Sequence, residues 1–583
     1  MPTSVVDTTA LLAIDIGTAS TRALLFDVVN GCYRFLTSGS APTTAGAPFF
    51  DVGEGVRRAI DEVEGAIGRR LIGNDGNLIM PSMADNSGVD ILVATMSAGK
   101  PIKVVAVGLL EDVTLASARR LAATTYSQVV DIINLNDRRQ TSDRINAIMH
   151  AHPELVIVAG GTDQGASKSV LDLIEAIGLA SYLTPKTQTP YVLFAGNKEL
   201  QKEVDSALGK NGKLRMAPNI RPTLSIEDIS PAQQELSAIY RDIRSLQVGG
   251  MDELLSWSGN NFIPTATAFE RIIRFLSKRY DPDKGVLGVD IGSQTTTIAA
   301  AFNGNGTVKV FPYLGVGIGS LGTLKKSKLE NITRWLSREI ADDIVQNYIY
   351  NKAIHPHSIP VSQEELAIEQ ALARQALRLA VRRSLSDFPQ DIPRPASNLL
   401  PLFEPIVAAG SVISKAPTFG QALLMLLDGL QPTGITTIAV DQNNIASALG
   451  AVSKVNPLLA VQVIETNTFL NLGTVIAPVG NARYGTPILR VKMTNQSGAE
   501  TVREVKYGTI EILPVKMGEK VRLHVRPLRN FDIGMGEAGK AGEVQAEGGV
   551  LGIVIDARGR PLRLSEDPKR RQRLILRWQQ ALR

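Results

Sequence analysis

The sequence predicts an α/β fold of two lobes, with a helical insertion in the second lobe and an additional C-terminal β domain. Three observations lead there. A strand–turn–strand motif occurs twice, as DIGTASTRALLF from Asp15 to Phe26 and as DIGSQTTTIAAAF from Asp290 to Phe302. Apolar runs alternate with amphipathic segments through most of the chain, which is the grammar of a substantially parallel sheet with helices on its faces. Beyond about Val461 strands such as VRLHVRP alternate apolar and polar residues between frequent Gly and Pro, an antiparallel pattern with one wet face. The expected boundaries are 1–284 for the first lobe, 285–460 for the second and 461–583 for the C-terminal β domain.

Each element follows in order. Each hairpin is preceded by a short apolar run, LLAI or GVLGV, and carries a polar Gly-Thr/Ser tip. In the first lobe, DVGEGVRRAIDEVEGAIGRRL reads as an amphipathic helix, DILVATM and IKVVAVGLL as buried strands and TLASARRLAATT as a helix. ELVIVAGGTDQGASKSVLDLIEAIG reads as strand, glycine turn, helix, and YVLFAGN with KELQKEVDSALG repeats that order. In the second lobe GTVKVFPYLG supplies a third strand. A charged, helical stretch at about 325–395 then reads as an inserted subdomain. PIVAAGSVIS gives a strand and a glycine turn, and ITTIAVDQNNIASALGAVSKV a strand, loop and helix. The chain closes on a short basic helix containing Trp578, read as a solvated surface helix.

Composition excludes several classes. Hydrophobic residues at 44% and charged residues at 20% describe an ordinary globular chain. The single cysteine, Cys32, allows no internal disulfide and no cysteine-based zinc site, which fits a reducing cytoplasm. The N-terminal MPTSVVDTTALLAIDIG lacks a basic n-region and reads as neither signal peptide nor membrane span. The apolar stretch QALLMLLDGL is broken by Asp428. A net charge of +5 with only 5% aromatics argues against a nucleic-acid surface.

The hairpins carry the candidate chemistry. A phosphate site needs backbone N–H groups and small hydroxyls close to anionic oxygens. Glycine permits that approach, and Thr or Ser adds a donor without bulk. An aspartate at the strand end can hold Mg²⁺ through water. Asp15, Gly17, Thr18, Ser20 and Thr21 fit this pattern, and Asp290, Gly292, Ser293, Thr295 and Thr296 repeat it. In PIVAAGSVIS, Gly410 leaves room for an adenine ring and Ser411 caps the following turn. Asp163, at the tip of GGTDQG, is a further candidate phosphate-loop residue. Ala446, Ala448 and Gly450 suit close helix packing at a hinge. GMGEAGKA, from Gly534 to Ala541, approaches a phosphate-loop pattern, but Ala541 stands where a Ser or Thr should hold magnesium, and a strand follows instead of a helix. His355 and His357, in HPHSIP, read as a structured loop without an adjacent acidic cluster.

The ordered hairpins and glycine turn resemble the phosphate-1, phosphate-2 and adenosine elements of the actin, sugar kinase and heat-shock-70 superfamily. NNIASALGAV takes the place of its second connecting helix, and the helix after VIVAGGTDQGA is the candidate for the first. A closer resemblance covers most of residues 11–480. SAGKPIKVVAVGLLEDVTLASARRLAATT, ELVIVAGGTDQG, YVLFAGN, APNIRPTL and NKAIHPHSIPVSQEELAIEQALARQALRLA are similar, in that order, to the accessory-protein L family (MutL/GlmL) encoded beside the glutamate mutase subunits. The resemblance implies an actin-like ATPase fold. It also implies a chaperone-like reactivating factor that uses Mg-ATP on an adenosylcobalamin-dependent mutase, glutamate mutase by the family's name. Asp15 and Asp290 then hold magnesium and orient the attacking water. AIDIGTASTRALLFD, including Arg22, is also similar to the first hairpin of carbohydrate kinases. A small-molecule kinase and an actin-like scaffold therefore stand as alternatives, and the oligomeric state is open.

Overall fold

Two apolar hairpins each open a sheet, and the two sheets share one design. In the computed structural model, residues 10–209, 213–389, 392–466 and 468–583 are described. Residues 1–9, the start of the N-terminal segment considered above, lie outside that range. The first sheet runs Phe262–Pro264, Ile91–Met96, Ala10–Ile16, Ser20–Val29, Cys32–Pro42. Ala10–Ile16 is antiparallel to Ser20–Val29 and parallel to Ile91–Met96. The second sheet repeats this with Gly434–Val440, Phe403–Ala409, Gly285–Ile291, Thr295–Phe302 and Asn305–Pro312. Ala10–Ile16 is buried along its whole length, which is why its sequence is continuously apolar up to Asp15.

The tertiary pairing departs from the expected domains in two places. Within 1–284, five strands (Ser127–Ile133, Ile102–Gly108, Leu155–Ala159, Tyr191–Phe194, Leu214–Met216) form their own all-parallel sheet. It is inserted between two strands of the first sheet and has a separate core around Val156, Val158, Ile174 and Phe194. At the other end, the expected boundary at 461 cuts a sheet. Leu470–Ala477, Ile553–Asp556 and Ile510–Leu513 extend the second sheet to eight strands. A separate four-stranded antiparallel sheet consists of Pro487–Thr494, Glu500–Lys506, Lys520–Pro527 and Gly542–Glu547. Alternation along a strand reports which face is wet, but not which strand it will pair with.

The helical insertion comprises Ser320–Lys326, Glu330–Thr333, Asp342–Ile354 and Gln363–Ser384. The terminal helix Pro568–Ala581 is not merely a solvated surface helix. Ile575 and Trp578 are buried in the core of the second lobe, and the Trp578 Nε1–H donates to the Gly508 carbonyl at 2.8 Å. Its ring also lies under the Arg558 guanidinium, 4.7 Å from the centroid.

The lobes meet at a pair of helices. Thr265–Ser277 leads from the edge strand of the first sheet toward the second, and Ala446–Val452 crosses it. A Cβ placed on Gly450 would stand 1.8 Å from the Ala268 carbonyl oxygen, so only glycine allows this approach. The close helix packing expected of Ala446, Ala448 and Gly450 is present, with Gly450 against the Ala268 backbone. The candidate first connecting helix does not fill its role: Lys168–Leu183 packs on the inserted parallel sheet, and Thr265–Ser277 links the lobes instead.

Candidate nucleotide cleft

Both hairpin tips, the Gly410 turn and the 352–370 stretch of the helical insertion line one cleft of about 970 Å³. Asp15, Gly17, Thr18, Ser20, Asp290, Gly292, Ser293, Thr295, Gly410 and Ser411 all border it. Thr21 and Thr296 do not. Each follows a cleft-facing residue by one position on a strand, so its side chain turns to the opposite face. Both are buried and act as braces: the Thr21 and Thr43 hydroxyls lie 2.9 Å apart, and the Thr296 hydroxyl donates to the Leu314 carbonyl at 2.8 Å. Asp163 lies away from the cleft at the carboxyl end of the inserted sheet. Its carboxylate accepts from the Asn219 amide at 2.9 Å and pairs with Lys198 at 3.5 Å.

The hairpin tips are tight turns closed by their own backbone. The Gly17 N–H donates to the Ser20 carbonyl at 3.0 Å, and the Gly292 N–H donates to the Thr295 carbonyl at 2.8 Å. The Ser293 carbonyl receives the N–H groups of Gly317 at 2.8 Å and Gly319 at 2.9 Å, which pins the next loop over the second tip. Across the cleft, the Thr18 hydroxyl donates to the Gln294 amide oxygen at 3.3 Å. Gly410 has φ +104°, and a Cβ there would lie 2.2 Å from the Ile291 carbonyl oxygen, so the base-side turn requires glycine.

Acidic groups converge on the floor. One Asp15 carboxylate oxygen accepts from the hydroxyls of Thr95 at 2.6 Å and Thr265 at 3.1 Å; the other lies 3.7 Å from Arg22. Arg22 also donates to the Ser411 hydroxyl at 2.9 Å and so spans the two lobes. Burial pushes the Asp290 carboxyl up to about 7, with Asp15 adding to the rise, Arg22 opposing it and Asp441 adding further. Asp441 is pushed up to about 6 by its burial, against the N–H groups of Ala446 and Ile445 that it accepts and the charge of Arg22. The buried Tyr126 hydroxyl lines the same floor, and burial, with Asp290, Tyr240 and Asp15 following, holds its pKa well above the ordinary tyrosine value.

The hairpin pattern does not by itself select Arg22 or Tyr126 as cleft residues, nor Asp441, which is buried behind the lining. Arg22 is nonetheless legible, lying two positions beyond Ser20 and so on the same strand face. Asp441 is legible too, since IAVD ends an apolar strand on an acid as LAID and LGVD do. Tyr126 belongs to the inserted domain, and nothing in its own segment announces the cleft. Glycines that admit close backbone approach, with Asp15 and Asp290 at the strand ends and Arg22 beside them, suit a polyphosphate with a divalent cation. Among the described residues no group of three or more His, Cys, Asp or Glu side chains forms a ready metal site. His357 lines the cleft, its pKa lowered by burial and by Lys352.

Paired hairpins, a shared cleft and a closely packed helix pair between the sheets define a two-lobed α/β protein with a candidate nucleotide site. Residues 11–468 match the MutL protein family, and the chain belongs to that family. The Protein MutL of Clostridium tetanomorphum is 22% identical over 393 residues, covering 64% of this chain and 78% of that protein. Among solved structures, a nucleotide-free diol dehydratase-reactivating factor aligns with 77% of this chain and 100% of its own, at 11% identity and a TM-score of 0.32. Nucleotide-free acetone carboxylase aligns over 85% of this chain and 81% of its own, at 11% identity and a TM-score of 0.31. With TM-scores this low, the fold rests on the sheet order described above. No helix among the described residues is long and apolar enough to cross a membrane.

Proposed function

We propose that the protein binds and hydrolyses ATP between its lobes and serves as an accessory, reactivating factor for an adenosylcobalamin-dependent mutase, with glutamate mutase as the expected partner. The observation that carries the nucleotide reading is the placement of two equivalent strand-end acids, Asp15 and Asp290, on the floor of one cleft beneath two glycine tips. The mutase reading rests on family membership and on the accessory-protein segments of the sequence.

The residues divide the work as follows. Thr18 and Ser293 receive the phosphate chain through backbone N–H groups and hydroxyls, while Gly17 and Gly292, whose own N–H groups close the turns, admit its close approach. Gly410 and Ser411 form the base-side wall. Asp15 and Asp290 would hold a magnesium ion through water, and the ion would supply neutralisation of phosphate charge. Thr95 and Thr265 fix the Asp15 carboxylate, so it points at the cleft without reorganising. With a pKa near neutrality, Asp290 is suited to accept a proton from an attacking water. Arg22 offers positive charge to the phosphates from a position between the lobes. Loss of the terminal phosphate contacts releases one lobe from the other, and the helix pair at Gly450 and Ala268 acts as the hinge.

The test is phosphate release from Mg-ATP with and without the co-encoded mutase in its inactivated form. Stimulation by the mutase with recovery of mutase activity is the expected result. Asp15→Ala and Asp290→Ala should abolish hydrolysis while the protein stays folded by circular dichroism. Undiminished hydrolysis by both variants would refute the assignment.

A further inference from the structure

The base-side wall of the cleft is a short piece of structure held by a neighbouring loop, 442–444, which also lines the cleft. Its helix, Ser411–Ser414, is a single turn, too short to be stable unaided. Asn444 spans it. The Asn444 amide oxygen accepts from the Gly410 N–H at 2.9 Å, and its amide nitrogen donates to the Ser414 hydroxyl at 3.1 Å. One side chain thus satisfies the backbone at the start of the turn and a hydroxyl at its end, its amide oxygen accepting and its amide nitrogen donating. Asn444 is itself 9% exposed and sits at φ +52°, a conformation Asn tolerates better than most residues.

The same loop starts the hinge helix. The Asn444 N–H donates to the Asp441 carbonyl at 3.2 Å, and the Asp441 carboxylate receives the N–H groups of Ile445 at 2.9 Å and Ala446 at 2.7 Å. Helix Ala446–Val452 then crosses helix Thr265–Ser277 at Gly450, and Thr265 at the head of that second helix donates to Asp15. The chain of contacts therefore runs from the base-side turn, through Asn444 and the crossed helices, to the acid of the opposite lobe.

We propose that Asn444 is a positioning residue for nucleotide binding, tying the Gly410 turn to the hinge so that the base-side wall and the lobe crossing move as one piece. This rests on the nucleotide reading above. Asn444 borders the cleft, but its amide oxygen and nitrogen are engaged by Gly410 and Ser414, so it acts through them and is distinct from the groups assigned to the phosphates.

The experiment uses the full chain and two probes, ADP and inorganic tripolyphosphate, with affinities measured by calorimetry for wild type, Asn444→Gly and Asn444→Asp. Glycine keeps the backbone angle while deleting both hydrogen bonds; aspartate keeps the acceptor for Gly410. Asn444→Gly should weaken ADP binding roughly tenfold, the scale of one or two lost buried hydrogen bonds, and leave tripolyphosphate affinity within about twofold. Asn444→Asp should recover most of the ADP affinity. ADP affinity unchanged in Asn444→Gly would overturn the proposal. Equal weakening of ADP and tripolyphosphate would also overturn it, by marking Asn444 as a general structural support. A wild type that binds neither probe would overturn both this proposal and the nucleotide reading beneath it.

Discussion

Gly450→Ala tests the hinge with a single methyl group. The added Cβ would stand 1.8 Å from the Ala268 carbonyl oxygen, 2.5 Å from its carbonyl carbon and 3.0 Å from its Cα. All three neighbours are backbone, so no side-chain rotation relieves the contact. An ordinary carbon–oxygen contact is at least about 3.3 Å, so helices Thr265–Ser277 and Ala446–Val452 must separate by roughly 1.5 Å. Overpacking of this kind costs about 1–3 kcal/mol, against which alanine's better helix propensity returns at most about 1 kcal/mol. The net expectation is a loss of about 1–2 kcal/mol in urea denaturation. ATP affinity should also fall, because displaced helices move Thr265 away from Asp15. Gly65→Ala is the matched control. Gly65 lies in helix Gly53–Ile67 with nothing within 4 Å of the point an alanine methyl would occupy, so alanine there should stabilise by about 0.5–1 kcal/mol. If Gly450→Ala unfolds at the wild-type urea concentration and binds ATP as tightly, the close approach is not what holds the lobes in register.

Other expectations can be checked together. Asp290→Asn removes a carboxyl whose folded pKa of about 7 lies above its ordinary 3.8. Wild-type stability contributed by that group is present below pH ~4 and lost as pH rises toward ~7, so the variant's stability relative to wild type should improve by more than about 1 kcal/mol across that window. Denaturation at several pH values reads this, and a gap that is constant with pH would contradict the burial of Asp290. Asp556→Asn should destabilise by about 3–5 kcal/mol, because Asp556 holds Arg558 and Arg560 in a fully buried network that also includes Asp428 and Arg374. A small effect in urea denaturation would mean that water reaches the network. Asp163→Ala should leave ATP affinity unchanged by calorimetry, since its carboxylate is engaged by Asn219 and Lys198 outside the cleft.

Local chemistry made much of the site legible. Each phosphate-type hairpin needs an acid at the end of a buried strand, a glycine at the turn and small hydroxyls after it. These requirements are written in contiguous residues, so Asp15, Gly17 and Thr18 could be found without a fold, and Asp290, Gly292 and Ser293 repeat the pattern. Gly410 and the small residues before Gly450 were legible for the same reason: a backbone angle or a close approach restricts the residue type at that position. The strand period of two would also have separated Ser20 and Arg22, which face the cleft, from Thr21, which does not.

Tertiary structure alone decided which segments meet. The inserted parallel sheet reads like any strand–helix alternation, and only its pairing shows that Ile91–Met96 belongs to one sheet and Ile102–Gly108 to another. The same holds for Leu470–Ala477 and Ile553–Asp556, whose sequences mark them as strands but cannot say that they complete the second lobe. The Asn444 link, the crossing of Gly450 with Ala268 and the arrival of Tyr126 on the floor join residues far apart in the chain. Propensity and periodicity act within a few residues and so fix the elements and the chemistry of each turn. Sheet order and lobe contacts come from burying apolar faces shared by distant segments, and that choice is made only when the whole chain packs.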